Sequence, residues 1–303
     1  MAAGTCWGSS GLVMRYLAAS GFEAVEISAL RLLVGTLALF AVLQRQRACV
    51  SMAIRWQQLP WLVVMGTGCL FLYSFCYAQA VQTISLSLVA VLIYTSPAIV
   101  MLISALLFHE ALTAGKCAAL ALTITGCCLA SGLFTGARGY SPQGIGFALS
   151  AALLYALYAI LAKFQTRRSD ALTVTAWCLL FGAAGAMLTV NFPHCISIFR
   201  QHPSVFIWVI IAGIFNTALP YLLYTMAVHG GDAGKAAMMA SVEPVVATLL
   251  GALVFHEALT AGSLLAPLIV LSGLYIMNRS STVREPAALA SAALSQREEK
   301  NAK

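Results

Sequence analysis

The octapeptide FHEALTAG occupies Phe108–Gly115 and recurs unchanged at Phe255–Gly262. An identical run of this length at an offset of 147 in a chain of 303 residues is not expected by chance. The same offset pairs four further positions: Tyr77 with Tyr224, Pro97 with Pro244, Ala119 with Ala266 and Gly126 with Gly273. The sequence therefore predicts an internal duplication with a unit of about half the chain.

Composition places the chain in a membrane. Hydrophobic residues make up 61% and charged residues 9%, with a mean hydropathy of +0.89. A soluble domain carries about 25% charged residues, so this chain cannot cover a water-facing surface. The nine cysteines form no C-x-x-C pair and no metal-ligand spacing with histidine, which indicates neither a disulfide framework nor a metal site. We expect no cofactor and no nucleic-acid partner.

Apolar runs long enough to cross a bilayer as helices predict the fold class, because a span needs about 20 mostly apolar residues. The sequence predicts an all-α integral membrane protein with ten transmembrane helices. Their ranges are 1–19, 26–43, 59–80, 84–106, 113–134, 143–163, 171–191, 204–228, 232–254 and 261–278.

The placement of Lys and Arg predicts the orientation, because these residues concentrate in cytoplasmic loops. With a cytoplasmic N-terminus, only three basic residues lie outside: Arg15, Arg138 and Arg200. The cytoplasmic side then holds Arg45, Arg47, Arg55, Lys116, Lys163, Arg167, Arg168, Lys235, Arg279, Arg284, Arg297, Lys300 and Lys303. We therefore predict a multi-pass protein of the cytoplasmic (inner) membrane with both termini in the cytoplasm.

The two halves are predicted to be inserted upside down relative to each other. Five crossings separate the two octapeptides, and an odd number places them on opposite sides. This predicts two inverted five-helix repeats, residues 1–134 and 143–278, followed by a polar cytoplasmic tail, 279–303. Inverted repeats are an architecture of many secondary transporters. The first helix is short by two turns, so we expect the chain to lack its natural start.

Three motifs resemble the EamA family of the drug/metabolite transporter superfamily. They are WGSS at Trp7–Ser10, ALRLL at Ala29–Leu33 and SVEPV at Ser241–Val245. In addition, each repeat has a proline followed by an acid that opens the next loop, Pro97 with Glu110 and Pro244 with Glu257. The resemblance covers about residues 1–278. It implies ten helices around a central cavity, alternating access, and export of amino acids, drugs or other small metabolites.

Glu243 is the leading candidate for substrate binding or coupling. An ionised carboxylate in mid-span costs several kcal/mol, so it is usually functional. Pro244 follows it and frees a carbonyl one turn back, which predicts a kinked helix with an acid at the kink. The alternative is a protonated packing residue. The repeat-related position is Ser96, in the sequence Tyr94-Thr95-Ser96-Pro97. Pocket lining and hydrogen bonding to the helix's own backbone are equally open for Thr95 and Ser96.

Arg31 lies in the second span, where a buried guanidinium pairs with an acid or binds a substrate anion. Glu26 and Glu23 are candidate partners, and snorkelling to the outer surface is a further alternative.

Aromatic side chains recur in repeat-related helices and suit a cavity for amphipathic solutes. Packing and interfacial anchoring also use such residues. The candidates are Tyr73 and Tyr77 in the third span, Tyr221, Tyr224 and Asn216 in the eighth, and Trp7 with Tyr155 and Tyr158.

These features favour a secondary transporter that exports an amino acid-like metabolite or a drug, with protons as a candidate coupling ion. The absence of a G-x-x-x-x-G-K-[ST] loop argues against direct use of ATP. Two other classes remain as alternatives, an intramembrane enzyme acting on a lipid-soluble substrate and a channel or non-transporting scaffold. We do not expect an enzyme, since no pair of acids, no metal ligands and no G-x-S-x-G occur within the spans. The protein is expected to be a monomer or a homodimer.

Overall fold

The part of the chain that the structure describes consists of helices joined by short turns, and it contains no strand. The computed structural model describes residues 1–45, 52–83, 92–108, 112–130, 141–229, 231, 233–240, 242, 243, 246, 249, 250, 253, 254, 265, 268, 269, 271–273, 275 and 276. Backbone polar groups have no water to bind inside a bilayer, so each apolar segment satisfies them within its own helix.

Within the described residues, the first half of the chain contributes seven helices. They are α1 (Ala2–Gly8), α2 (Ser10–Ala19), α3 (Ala24–Arg45), α4 (Leu59–Val63), α5 (Leu72–Thr83), α6 (Ser96–Phe108) and α7 (Ala114–Ala130). A π-helical segment, Val64–Phe71, joins α4 to α5.

The second half contributes a further six helices to the described residues. They are α8 (Pro142–Thr166), α9 (Ala171–Met187), α10 (Phe192–Gln201), α11 (Val205–Gly213), α12 (Leu219–His229) and α13 (Ala233–Ala240). A second π-helical segment, Ile214–Ala218, joins α11 to α12. Residues 67–71 of the first π-helical segment stand at the repeat offset from this one, so both halves carry the same irregularity.

Several of these helices can cross a membrane. Ala24–Arg45, Leu59–Tyr77, Pro142–Thr166 and Val205–His229 are long and apolar enough, and α9 with α10 would make a fifth span bent by 98°. Leu37, Leu106 and Phe206 are more than half exposed, as lipid-facing side chains are. The protein is thus a multi-pass membrane protein. The count of ten spans stays a prediction, because much of the ninth and tenth lies outside the described residues.

Two segments differ from the sequence-based prediction. The first span is not continuous, because α1 ends at Gly8 and α2 begins at Ser10. The predicted loop at 193–203 holds α10, which begins where the Asn191 side chain accepts a hydrogen bond from the His194 amide. This helix buries Cys195 and Ile198 against the end of α2, in an apolar cluster with Leu17 and Phe22.

Glycines set two close helix crossings that are related by the repeat. In one, Gly35 of α3 lies against Gly213, and a Cβ there would stand 3.0 Å from the Gly213 carbonyl oxygen. In the other, Gly182 of α9 lies against Gly66, at 3.1 Å from its carbonyl oxygen. The offset of 147 relates Gly35 to Gly182 and Gly66 to Gly213.

The first octapeptide stands at a helix junction. Phe108 ends α6, and the Thr113 hydroxyl accepts a hydrogen bond of 3.2 Å from the Lys116 amide at the start of α7. Thr113 therefore caps this helix, as its position after the octapeptide's His-Glu predicts. Residues 109–111 and the second octapeptide lie outside the described residues.

Candidate functional site

Hydrogen bonds from the eighth span stabilise the break in the first span. The Ser9 hydroxyl donates to the Cys6 carbonyl at 2.7 Å. Asn216 Nδ2 donates to the same carbonyl at 2.7 Å and to Ser9 Oγ at 3.0 Å. Asn216 thus gives the Cys6 carbonyl a second donor, which comes from the second π-helical segment. The Asn216 amide nitrogen is therefore engaged with the first span.

Helix α1 packs against the ninth span at Glu243. A Cβ on Gly8 would lie 2.6 Å from the carbonyl oxygen of Glu243, and a Cβ on Gly4 would clash with that of Ala240. Only glycine permits this approach, which brings the end of α1 directly against Glu243. Pro244, the predicted kink residue beside Glu243, lies outside the described residues.

Trp7, Tyr73, Tyr77, Tyr155, Tyr158, Tyr221 and Tyr224 form one group of rings, which we call the aromatic cluster. The Trp7 centroid lies 6.1 Å from that of Tyr155, 5.3 Å from Tyr221 and 5.7 Å from Tyr224. Tyr73 extends the group, at 6.3 Å from Tyr155 and 6.2 Å from Tyr77. Four stretches that are distant in sequence thus supply one continuous aromatic wall, with separations typical of interacting rings.

The Glu243 carboxylate faces this cluster. It accepts a hydrogen bond from the Tyr94 hydroxyl. It also interacts electrostatically with Tyr73, Tyr77 and Tyr221. The acid and the tyrosines that the sequence singled out separately therefore share one space.

Arg31 faces the same space from the first half of the chain. It interacts electrostatically with Glu243 and Tyr221. The residue is 9% exposed, and its Nε atom has no hydrogen-bond partner. Among the residues that the structure describes, no acid lies within ion-pair distance of it. A buried guanidinium with unused hydrogen-bonding capacity is suited to an anionic ligand group.

Glu26, one of the predicted partners of Arg31, pairs with another residue. His194 Nδ1 lies 2.8 Å from Glu26 Oε1, and the Glu23 amide donates to Glu26 Oε2 at 2.9 Å. The candidate pairing of Glu26 with Arg31 was therefore wrong, because the Glu26 carboxylate pairs with His194 on α10. His194 stands 168 residues away, beyond the reach of reasoning from helical spacing.

The fourth span is interrupted where the sequence places its proline. Tyr94 and Thr95 form a turn, α6 begins at Ser96, and Pro97 stands at its second position. Thr95 Oγ1 donates to the Leu92 carbonyl at 2.6 Å, so this hydroxyl satisfies its own backbone. Ser96 is 3% exposed.

The sequence did not predict two polar contacts near the aromatic cluster. Ser9 and Asn216 form the cross-helix link described above, and Tyr158 shares a 2.9 Å hydrogen bond with Thr225. Ser9 carries a local signal, because paired serines after a glycine in mid-span compete with the helix for backbone partners. Tyr158 and Thr225 have no such signal, since 67 residues separate them.

A cavity of about 410 Å³ borders the aromatic cluster at Tyr224. Its lining includes Met1, Ala3, Tyr224, Lys235 and Met239. Beside this cavity, the rings of the aromatic cluster, the Glu243 carboxylate and the Arg31 guanidinium together can bind a solute that has an apolar body and both charges. In the described part of the chain, no three His, Cys, Asp or Glu residues are grouped so that they could share a metal ion.

Comparison with known proteins identifies relatives along most of the chain. The model of the EamA-like transporter family matches residues 1–132 and 142–279. "Uncharacterized transporter YoaV" of Bacillus subtilis (strain 168) is 25% identical over 277 residues, covering 89% of this chain and 92% of its own length.

"Aromatic amino acid exporter YddG" of Ancylobacter novellus is 25% identical over 195 residues, covering 63% of this chain and 67% of its own length. One solved crystal structure superimposes with a TM-score of 0.77 at 21% identity, over 94% of this chain and 96% of that chain. The last similarity shows a shared fold.

Proposed function

The chain belongs to the EamA-like transporter family and moves a small molecule across a membrane, and we propose that it is a secondary active exporter of an amino acid-like metabolite or a drug. Export runs outward across the cytoplasmic membrane by alternating access, with both termini in the cytoplasm. Protons are the proposed coupling ion. One relative is named an aromatic amino acid exporter, which agrees with a substrate that carries both charges and a ring.

The observation that carries the proposal is the meeting of Arg31 and Glu243 on one aromatic-lined space. Arg31 comes from the first half and Glu243 from the second, so the site lies between the halves. A carboxylate of the substrate would bind the Arg31 guanidinium, and its ammonium group would bind Glu243. The ring or apolar body would lie against Trp7 and Tyr221, where ring faces also attract a cation.

The repeat-related crossings support two inverted repeats. Gly35 contacts Gly213, and their mates Gly182 and Gly66 contact each other in the same way. Reciprocal contacts of this kind arise from a two-fold relation, because residue i then meets j while the mate of i meets the mate of j. Under such a relation the two halves can exchange conformations, so that the inward-open and outward-open states use equivalent contacts. The repeats proposed from the sequence span 1–134 and 143–278.

Proton coupling rests on the position of Glu243. A carboxyl group inside a membrane protein is expensive to ionise without a partner. A proton and the substrate's ammonium group would therefore compete for Glu243, and each would displace the other. Such competition converts an inward proton gradient into outward substrate movement.

Proteoliposomes loaded with amino acids, nucleosides and cationic drugs test the proposal, with mass spectrometry recording what leaves. We expect selective loss of one substrate class that accelerates under an imposed pH gradient. Glu243→Gln should abolish the acceleration, whereas Glu23→Gln, the same change at an exposed acid, should leave it unchanged. Gradient-driven export by Glu243→Gln at the wild-type rate would refute the coupling role.

A second comparison isolates the role of Arg31. The wild type should export an amino acid in preference to the amine formed by its decarboxylation. Arg31→Gln should lose that preference by about tenfold or more, because one charge-assisted hydrogen-bonding group is removed. An unchanged preference would exclude Arg31 as the carboxylate-binding residue.

A further inference from the structure

A second cavity, separate from the aromatic cluster, lies where α4 and α9 begin. It has a volume of about 310 Å³ and is lined by Ala53, Ile54, Arg55, Gln58, Arg168, Ser169 and Asp170. We call it the basic cavity. Its volume is at the low end for ligand sites, which suits a headgroup or small anion better than a drug-sized solute.

The floor of the basic cavity is a built hydrogen-bond network. Gln58 is 1% exposed, and its Nε2 donates to Gln165 Oε1 at 3.1 Å. Gln58 Oε1 accepts from the Ser169 hydroxyl at 3.1 Å and from the Arg55 amide at 3.4 Å. The network fixes the segment that carries Arg55 against the segment that carries Arg168, so that the two arginines line one cavity.

The charges of the basic cavity are only partly neutralised within the described residues. Arg55 and Arg168 have no acid within ion-pair distance there, and Asp170 is the one acid of the lining. Two guanidinium groups against one carboxylate leave a net charge of about +1. The amino end of α9 adds partial positive charge, because this helix begins beside the cavity.

The repeat-related position is filled instead of open. The mates of Gln58 and Ser169 at the offset of 147 are Val205 and Phe22, and both are buried. Phe22 packs against Phe199 of α10 at a ring separation of 5.4 Å. Of the two repeat-related positions, one is therefore closed by apolar side chains, and the other is polar, basic and open.

Aromatic residues beside the basic cavity mark the membrane surface. Trp56, which follows Arg55, is 86% exposed, and Trp61 is 51% exposed. Exposed tryptophans of this kind sit at the level of the lipid headgroups. Basic pockets at this depth match the phosphate of an anionic lipid.

We propose that the basic cavity binds a phosphate-bearing anion, carried either by an anionic lipid headgroup or by a free phosphate ester. Arg55 and Arg168 bind the phosphate oxygens, for which guanidinium groups have the matching geometry. Asp170 opposes binding by charge repulsion. The site is independent of the transport site and does not rely on the proposed substrate.

Native mass spectrometry of the full chain in a neutral detergent tests the proposal. Dioleoyl phosphatidylglycerol is titrated against dioleoyl phosphatidylcholine, which has the same tails and no net charge. We expect preferential retention of phosphatidylglycerol, weakened about fivefold by Arg55→Ala or Arg168→Ala and about twenty-five-fold by both, since each basic residue contributes about that factor. Asp170→Asn should strengthen binding. Both arginines are exposed, so their replacement should not impair folding.

The matched control is Arg200→Ala, an arginine of α10 that stands at the repeat offset from Ala53. It should retain phosphatidylglycerol as the wild type does. Competition by millimolar glycerol 3-phosphate assigns the site to soluble phosphate esters, and lack of competition assigns it to the lipid. Wild-type retention by the double arginine variant, or equal retention of the two lipids together with no binding of glycerol 3-phosphate, would overturn the proposal.

Discussion

Replacing Gly66 by alanine is expected to destabilise the protein, although alanine is the better helix former. The added Cβ would lie 2.5 Å from the Cys178 carbonyl oxygen, 2.6 Å from Phe181 Cβ and 2.7 Å from the Gly182 amide nitrogen. Two of these atoms belong to the main chain of α9, so neither can rotate away. The helices must separate at the crossing, and their packing is lost around it.

The magnitude follows from two opposing terms. Overpacking at a closely packed crossing costs about 1–3 kcal/mol. The gain in helix propensity from glycine to alanine offsets up to about 1 kcal/mol of this. Three atoms closer than 3.0 Å place the cost at the upper end of its range, so we expect a net loss of about 1–2 kcal/mol, which corresponds to a fall of about 2–8 °C in the unfolding temperature.

Gly146 on α8 provides the matched control, because a Cβ there meets no atom within 4 Å. Gly146→Ala should therefore keep only the propensity gain and raise the unfolding temperature by about 1–4 °C. Gly213 is the repeat mate of Gly66. Gly213→Ala should lower the unfolding temperature by about as much as Gly66→Ala does, since its Cβ would clash with Val34.

The assay is thermal unfolding of the purified protein in detergent, followed by tryptophan fluorescence. All variants are heated at one rate, because irreversible unfolding makes the midpoint depend on scan rate. If Gly66→Ala and Gly213→Ala melted at or above the wild-type temperature, the glycine-dependent crossings would be refuted.

Three further predictions concern polar contacts and use the same thermal assay. Asn216→Ala should lower stability by about 1–3 kcal/mol, because the Cys6 carbonyl and the Ser9 hydroxyl at the break of the first span lose their hydrogen bonds from the Asn216 amide nitrogen; an unchanged midpoint would contradict this. Tyr158→Phe and Thr225→Val should each cost about 1 kcal/mol, and the double variant should cost less than their sum because the two share one hydrogen bond. His194→Ala should destabilise more in the wild type than in Glu26→Gln, since it leaves a buried carboxylate without its partner; equal losses would exclude the coupling.

The class of the protein and most candidate residues of the site could be read from the sequence. Composition alone excludes a soluble fold, and the repeated octapeptide reveals the duplication. Glu243, Arg31 and the tyrosines stand out because polar groups are expensive inside a bilayer. Each of these signals is carried by single residues or by local averages, so no knowledge of the partners is needed.

Helix boundaries were less predictable where polarity does not mark them. Helix α10 lies in a segment interpreted as a loop, because a short helix that packs one face on α2 is too polar on average to register as a span. The break at Ser9 was missed for the opposite reason, since a mostly apolar run favours one continuous helix. The break is stabilised by Asn216, which is 207 residues away from Ser9 and so leaves no local signal in the sequence.

The sequence by itself determined that this is a duplicated membrane protein with an acid and an arginine in its spans. Only the tertiary structure decided that Arg31 faces Glu243 and the aromatic cluster, while Glu26 pairs with His194. It also decided that Gly35, Gly66, Gly182 and Gly213 mark helix crossings. The physical reason is that a side chain's partner depends on which helices are in contact and on where along their axes they meet. Close packing between distant segments sets both, and no local pattern of residues encodes them.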